Sequence, residues 1–176
     1  SPCVNSPGYR SYCFQAVRDL ARYPIDGIFL DGPIFISNGC FCGACREKFR
    51  AATGLELPVK DDWDDVAWKR FIEFRYDSIT DYLRDSRAAL KETRPGAIIY
   101  MNGQGLWPGW PNGRDNRRLA AHQDLVGAEG GFLGGVLAQV PLWKPAMSAK
   151  LLETQAAGKP TVIFSAGKHC GHDRTT

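Results

Sequence analysis

Several absences narrow what this chain can be. No apolar stretch approaches the roughly 20 residues that span a bilayer, so a membrane-crossing helix is not expected within these 176 residues. The 22 lysines and arginines are nearly offset by 19 acidic residues, leaving a formal net charge of +3. That surplus is too small for a nucleic-acid partner, and the second cysteine pair a zinc ribbon requires is also missing. Neither G-x-G-x-x-G nor a P-loop occurs, which removes the usual mark of a nucleotide-binding open sheet. Gly103-Gln104-Gly105 and Gly130-Gly131 are too short to stand in for either. No signal peptide is visible, and the chain opens at Ser1 in mid-pattern.

What is present is the composition of a globular domain, 44% hydrophobic and 23% charged, enough to build one buried core. Residues 1–176 read as a single domain, because no linker, repeat or low-complexity segment interrupts the alternation of strand and helix patterns. Tyr12, Val17, Leu20 and Ala21 predict a helix from Tyr9 to Arg22, ended by Pro24. Ile25 to Asp31 follows as a buried strand. Cys45 to Ala52 predicts a short helix with Gly54 as its C-cap. A long helix is expected from about Asp64 to Thr93, with Asp64 or Asp65 as N-cap and Trp68, Phe71, Ile72, Ile79, Tyr82, Leu83 and Leu90 on one apolar face. Pro95 and Gly96 stop it. Ala97 to Asn102, Asp124 to Glu129 and Thr161 to Ser165 predict three more strands, and Pro145 to Ala157 a helix stopped by Gly158. Trp63, Trp68 and Trp143 are read as helix-face packing residues.

Strands alternating with helices define an α/β domain with a parallel sheet, either a closed (β/α)8 barrel or an open doubly wound sheet. The barrel is preferred because Asp31, Asn102 and Glu129 each stand at the carboxyl end of a predicted strand, where barrels carry their catalytic rim. A complete barrel takes about 250 residues. Four strands therefore predict a partial TIM-type barrel, a fragment covering roughly the third to seventh βα units, with apolar edge surface left uncovered.

Cys40-Phe41-Cys42-Gly43-Ala44-Cys45 packs three thiols just beyond the first strand. Such close spacing suits convergence on one tetrahedral metal ion better than local disulfides, and a fourth ligand must come from elsewhere. Reduced, metal-binding cysteines favour a cytoplasmic location. His169-Cys170-Gly171-His172 is a weaker metal motif, equally well read as an exposed terminal loop. The loop Leu106-Trp107-Pro108-Gly109-Trp110-Pro111-Asn112 has the residue types of a sugar platform, indole faces held open by Pro and Gly. Trp107 and Trp110 serve there either as stacking surfaces or as hydrophobic plugs, and Asn102 is placed to donate to a sugar hydroxyl.

Cys3-Val4-Asn5-Ser6-Pro7-Gly8-Tyr9-Arg10, the helix ending Leu20-Ala21-Arg22-Tyr23, the three clustered cysteines and Phe49-Arg50 together resemble the central segment of glycoside hydrolase family 42 β-galactosidases. The resemblance is closer still to the group called hypothetical glycosyl hydrolase 6, through Asp26-Gly27-Ile28-Phe29-Leu30-Asp31-Gly32-Pro33 and the Trp63 to Tyr82 helix. It spans Cys3 to about Asn102 and weakens from Gly103 onward.

This resemblance implies a structural Zn²⁺ held by Cys3, Cys40, Cys42 and Cys45, a closed site with no position left for chemistry. On spacing alone, Cys13 or Cys170 remains an alternative to Cys3. The resemblance also implies glycosidase activity, with one departure. Family 42 enzymes carry Asn-Glu where this chain has Leu30-Asp31, so the acid/base role cannot be transferred. By similarity to α-L-fucosidases, Asp31 is assigned as nucleophile, and Glu129, which ends a later strand of the same predicted barrel face, is assigned as acid/base; each has a plainer alternative, a loop-capping role in the case of Asp31. The expectation is a hydrolase of O-glycosidic bonds with a carbohydrate substrate, no nucleic-acid or membrane partner, and scope for a homo-oligomer. The rival expectation is a non-catalytic carbohydrate-binding or assembly module on a degenerate barrel.

Overall fold

In the computed structural model, which describes residues 2–36, 39–130 and 143–164, the longest element is set by one apolar stripe. Helix α3 (Val66–Thr93) buries Trp68, Phe71, Ile72, Ile79, Tyr82, Leu83 and Leu90 on a single face. Each such side chain contributes about 1.5–3 kcal/mol on burial, which anchors the helix far more firmly than its own propensity does. Its N-cap is Asp65, whose carboxylate accepts the Ala67 N–H at 2.8 Å. The other elements are α1 (Pro7–Leu20), β1 (Gly27–Leu30), α2 (Gly43–Thr53), β2 (Ile98–Gly103), α4 (Asn116–Ala120), β3 (Val126–Glu129), α5 (Lys144–Gln155) and β4 (Thr161–Phe164). Gly54 ends α2 with φ 72, the left-handed conformation expected of a C-cap glycine. No helix is long and apolar enough to cross a membrane among the described residues.

The four strands form one parallel sheet in the order β1-β2-β3-β4. Register pairs Phe29 with Tyr100, Asn102 with Gly127 and Glu129 with Phe164. Alternation therefore divides the strands into two sets. Ile99, Met101, Val126 and Ala128 are buried on the face that carries the helices. Phe29, Ile98, Tyr100, Val162 and Phe164 belong to the other face, where Phe29 remains 40% and Ile98 39% exposed.

This second face is concave. Phe29 and Phe164 stand on the first and last strands, which lie about 14 Å apart in a flat sheet even before any offset along the strands, yet their ring centroids are 5.2 Å apart. Tyr100 lies between them, 4.8 Å from Phe29 and 6.3 Å from Phe164. A Cβ at Gly127 would come within 3.0 Å of the Tyr100 ring, tighter than an ordinary contact, so glycine lets that ring lie close over β3. Curled parallel strands with helices outside are a partial (β/α)8 barrel.

Two expectations about local structure need correction. Tyr12 is 73% and Leu20 49% exposed, so α1 does not use them as its inner face. It packs instead through Tyr9, Phe14 and Val17, with Tyr9 and Phe14 ring centroids 6.3 and 5.4 Å from Tyr82 of α3. Aromatic and aliphatic residues occur on both sides of this helix, and its partner, not its periodicity, chooses the side. Helix α4 was not expected. It has five residues, too few for a periodic signal, and its mark is the N-cap Asp115, which accepts the Arg117 N–H at 3.0 Å.

Asp124 locks β2 to α3. Its carboxylate accepts the Ile99 N–H at 2.9 Å and pairs with Arg87 at 3.3 Å and Lys91 at 3.2 Å. Burial alone raises its pKa, but the Ile99 N–H and the two cations outweigh that and leave it below the usual 3.8. A depressed pKa means stabilisation that is complete above the ordinary aspartate range and lost as pH falls through the folded-state value. Asp124→Asn should cost about 1–2 kcal/mol at neutral pH. In urea titrations, its deficit relative to wild type should shrink as the solution is acidified below the ordinary aspartate range.

Candidate functional site

The concave face presents three polar side chains where its strands end. Asp31 follows β1, Asn102 is the penultimate residue of β2 and Glu129 closes β3. Alternation assigns all three to the face that carries Phe29, Tyr100 and Gly127. They meet there. Asn102 Nδ2 donates to Asp31 Oδ1 at 3.0 Å and to Glu129 Oε1 at 3.0 Å, and Asn102 Oδ1 accepts the Glu129 backbone N–H at 3.3 Å. One amide nitrogen thus holds two carboxylates, and its two 3.0 Å bonds keep the oxygens within about 6 Å of each other.

In this arrangement both amide hydrogens of Asn102 go to the acids, so it sets their positions. Both acids remain exposed. Glu129 lines a cavity of about 230 Å³ with Asn102, Gln104, Trp107, Arg114 and Lys144. Asp31 lines a separate cavity of about 220 Å³ with Tyr9, Phe29 and Tyr82.

Arg114 supports the site from below and was not foreseen in the sequence. Its Nη1 donates to the carbonyls of Asn102 at 3.0 Å and Gly103 at 2.9 Å, fixing the end of β2. Burial pushes the guanidinium's pKa down, and the charges of Glu129 and Asp31 push it back up. Asn116 clips the following loop, accepting the Gln104 N–H at 2.8 Å and donating to the Gln104 carbonyl at 2.6 Å. The only sequence signal for these two was their place in an Asp/Asn-containing turn after the Trp loop.

The two loop tryptophans part company. Trp107 is 76% exposed and lines the Glu129 cavity. Trp110 is half-buried and meets Trp63 and Trp68 edge-on, with ring centroids 5.3 and 6.0 Å away; it is not among that cavity's lining residues. Trp68 is buried as expected, whereas Trp63 and Trp143 are 53% and 58% exposed. Gly113, at φ 79, lets this loop close onto α3 and the β1 loop. A Cβ there would meet the Arg75 carbonyl at 2.9 Å and the Phe35 ring at 3.0 Å.

The cysteines also converge. One sulfur each from Cys3, Cys40, Cys42 and Cys45 forms a group in which all four lie within 4.8 Å of one another, a set that can hold a metal ion. Cys3 Sγ and Cys45 Sγ are 3.3 Å apart. The Cys45 thiol holds the Cys3 pKa down to about 5, while the same contact and burial push Cys45 up. Cys13 is not part of this group and interacts with Tyr9 and Tyr82. Cys170, with His169 and His172, lies outside the described residues.

No family model matches the chain, and no curated protein matches it in sequence. Solved structures do match in shape. A β-galactosidase from Bacillus circulans sp. alkalophilus superposes with a TM-score of 0.71 at 18% identity, over 92% of this chain and 28% of that one. The cold-adapted β-galactosidase from Rahnella sp. R3 gives 0.68 at 20% identity, over 92% and 28%. The α-L-fucosidase isoenzyme 2 from Paenibacillus thiaminolyticus gives 0.60 at 22% identity, over 92% of this chain and 21% of that one. The chain thus spans little more than a quarter of the β-galactosidases it resembles, and it shares with these glycoside hydrolases the fold of part of their TIM barrel.

Proposed function

We propose that this chain carries the catalytic acids of a retaining glycoside hydrolase, with Asp31 as nucleophile and Glu129 as acid/base. The observation that carries this reading is the single Asn102 nitrogen bonded to both carboxylates. It keeps the two bonded oxygens within about 6 Å of each other, compatible with the roughly 5–5.5 Å carboxyl spacing of a retaining enzyme. In the proposed reaction, Asp31 attacks the anomeric carbon as Glu129, in its acid form, protonates the departing oxygen. Glu129 then takes a proton from water, which displaces Asp31 and releases the sugar. Asp31 has the shorter side chain, which suits a group attacking the ring carbon. Trp107 supplies an exposed indole beside Glu129 on which a sugar face can stack.

We assign the four-cysteine group to zinc. Cys3, Cys40, Cys42 and Cys45 supply four soft thiolates, the donor set of a closed structural site. The ion supplies folding free energy by joining the segment before α1 to the start of α2.

Aryl β-galactosides and aryl α-L-fucosides are the first probes, because the solved neighbours include β-galactosidases and an α-L-fucosidase. Asp31→Asn should abolish turnover while leaving sugar binding measurable. Glu129→Gln should lower kcat by about 10²–10⁴ on substrates with poor leaving groups and far less on activated aryl glycosides, with added azide restoring turnover. A folded wild type that binds sugar but hydrolyses none of these probes would favour the non-catalytic module instead. Trp107→Ala should weaken sugar binding by roughly 0.5–1.5 kcal/mol in calorimetry without unfolding the chain. Elemental analysis should find one zinc per chain. Cys42→Ser should lose it along with thermal stability; a well-folded wild type free of metal rules the assignment out.

A further inference from the structure

We infer that Asn5 is an outer-sphere residue of the four-cysteine site, tuning its thiolates through two N–H···S hydrogen bonds, with Lys48 polarising its amide from behind. This inference rests on the metal assignment above and adds to it a role for residues outside the ligand set.

Asn5 is buried, yet every polar atom of its side chain is used. Its backbone N–H donates to Cys3 Sγ at 3.3 Å, and its Nδ2 donates to Cys45 Sγ at 3.4 Å and to Ser78 Oγ at 3.0 Å. Its Oδ1 accepts from Lys48 Nζ at 3.0 Å, and Lys48 in turn pairs with Asp81 at 3.3 Å. An amide whose oxygen is held by an ammonium has its electrons drawn toward that oxygen, which makes its N–H groups stronger donors. Those side-chain donors go to Cys45 and Ser78, while the separate backbone N–H serves Cys3, so one residue reaches the two sulfurs that bring the distant ends of the site together.

Charge explains why such a residue is needed. Four thiolates around a divalent ion carry a net charge of minus two, and a half-buried dianion must be compensated by donors or cations. Lys48 provides one cation through the amide. Arg75 is a second cation on the buried face of α3. It is fully buried at a core position of α3, its single hydrogen bond goes to the Trp110 carbonyl at 3.4 Å, and its Nε and Nη2 have no partner among the described residues. Its guanidinium lies 4.2 Å from the Phe71 ring centroid; burial pushes its pKa down, and Asp61, followed by Cys45 as a thiolate, pushes it back up. The Phe71 and Trp68 rings, 4.2 and 5.6 Å from it, face this buried cation where a carboxylate would otherwise stand.

The test uses Co²⁺ as a spectroscopic stand-in and Zn²⁺ in chelator competition, on wild type, Asn5→Leu and Lys48→Met. Hydrogen bonds to sulfur stabilise its lone pairs and raise the energy of thiolate-to-metal charge transfer. In Asn5→Leu this absorption should move to longer wavelength and Zn²⁺ affinity should fall about 10-fold or more. Lys48→Met, which keeps the amide, should shift both in the same direction by less. A purely packing role for Asn5 would alter stability but not the Co²⁺ spectrum. Unchanged spectra and affinities in both variants overturn the inference and leave the metal site standing. If Asn5→Leu does not fold, the Lys48→Met spectrum decides: a shift supports the inference and no shift overturns it. A wild type that takes up neither ion overturns the metal assignment, and this inference with it.

Discussion

The amide nitrogen of Asn102 is the point on which the candidate site depends, because among the described residues it is the group hydrogen-bonded to both acids. Two carboxylates brought close together repel, and a shared donor offsets part of that repulsion while fixing the gap between them. The donor is itself constrained. Asn102 sits in a strand between two others, its carbonyl and that of Gly103 are held by Arg114, and its side chain is buried. A site built on strand ends in this way is more rigid than one hung on loops alone.

Curvature makes that meeting possible. In a flat sheet Asp31 and Glu129, one strand apart on either side of Asn102, would point away in parallel. The rolled sheet turns their side chains inward, as the contact between Phe29 and Phe164 on the same face shows. The same roll leaves Phe29, Ile98 and Val162 partly exposed on the concave face, the surface that a closed barrel fills with side chains from its other strands.

The cysteine group and the Trp loop belong to one scaffold around α3. The Phe35 N–H donates to the Asn112 carbonyl at 3.0 Å, which ties the segment after β1 to the loop after β2. Arg75 reaches the Trp110 carbonyl from α3, and Asn5 reaches Ser78 on the same helix. The buried face of α3 thus carries contacts to the cysteine group at one level and to the aromatic loop at another.

Much of this was legible in the chain itself, and for a local reason. The α3 stripe, the Asp65 and Gly54 caps, the strand cores and the cysteine spacing are properties of neighbouring residues, and so is the placement of Asp31, Asn102 and Glu129 at strand ends. What required the tertiary structure was every choice between equivalent local options. Tyr12 and Leu20 looked as fit for burial as Phe14 until α3 took the other side of α1. Trp107 and Trp110 are three residues apart in one loop, and only its closure over Gly113 set one beside Glu129 and the other among tryptophans. Asn102 had donors to give, but which acceptors they found depended on the roll of the sheet. Composition and spacing determined which chemical groups were available and on which elements; long-range packing decided which of them touch, because contacts between residues 71 apart, such as Asp31 and Asn102, leave no trace in local pattern.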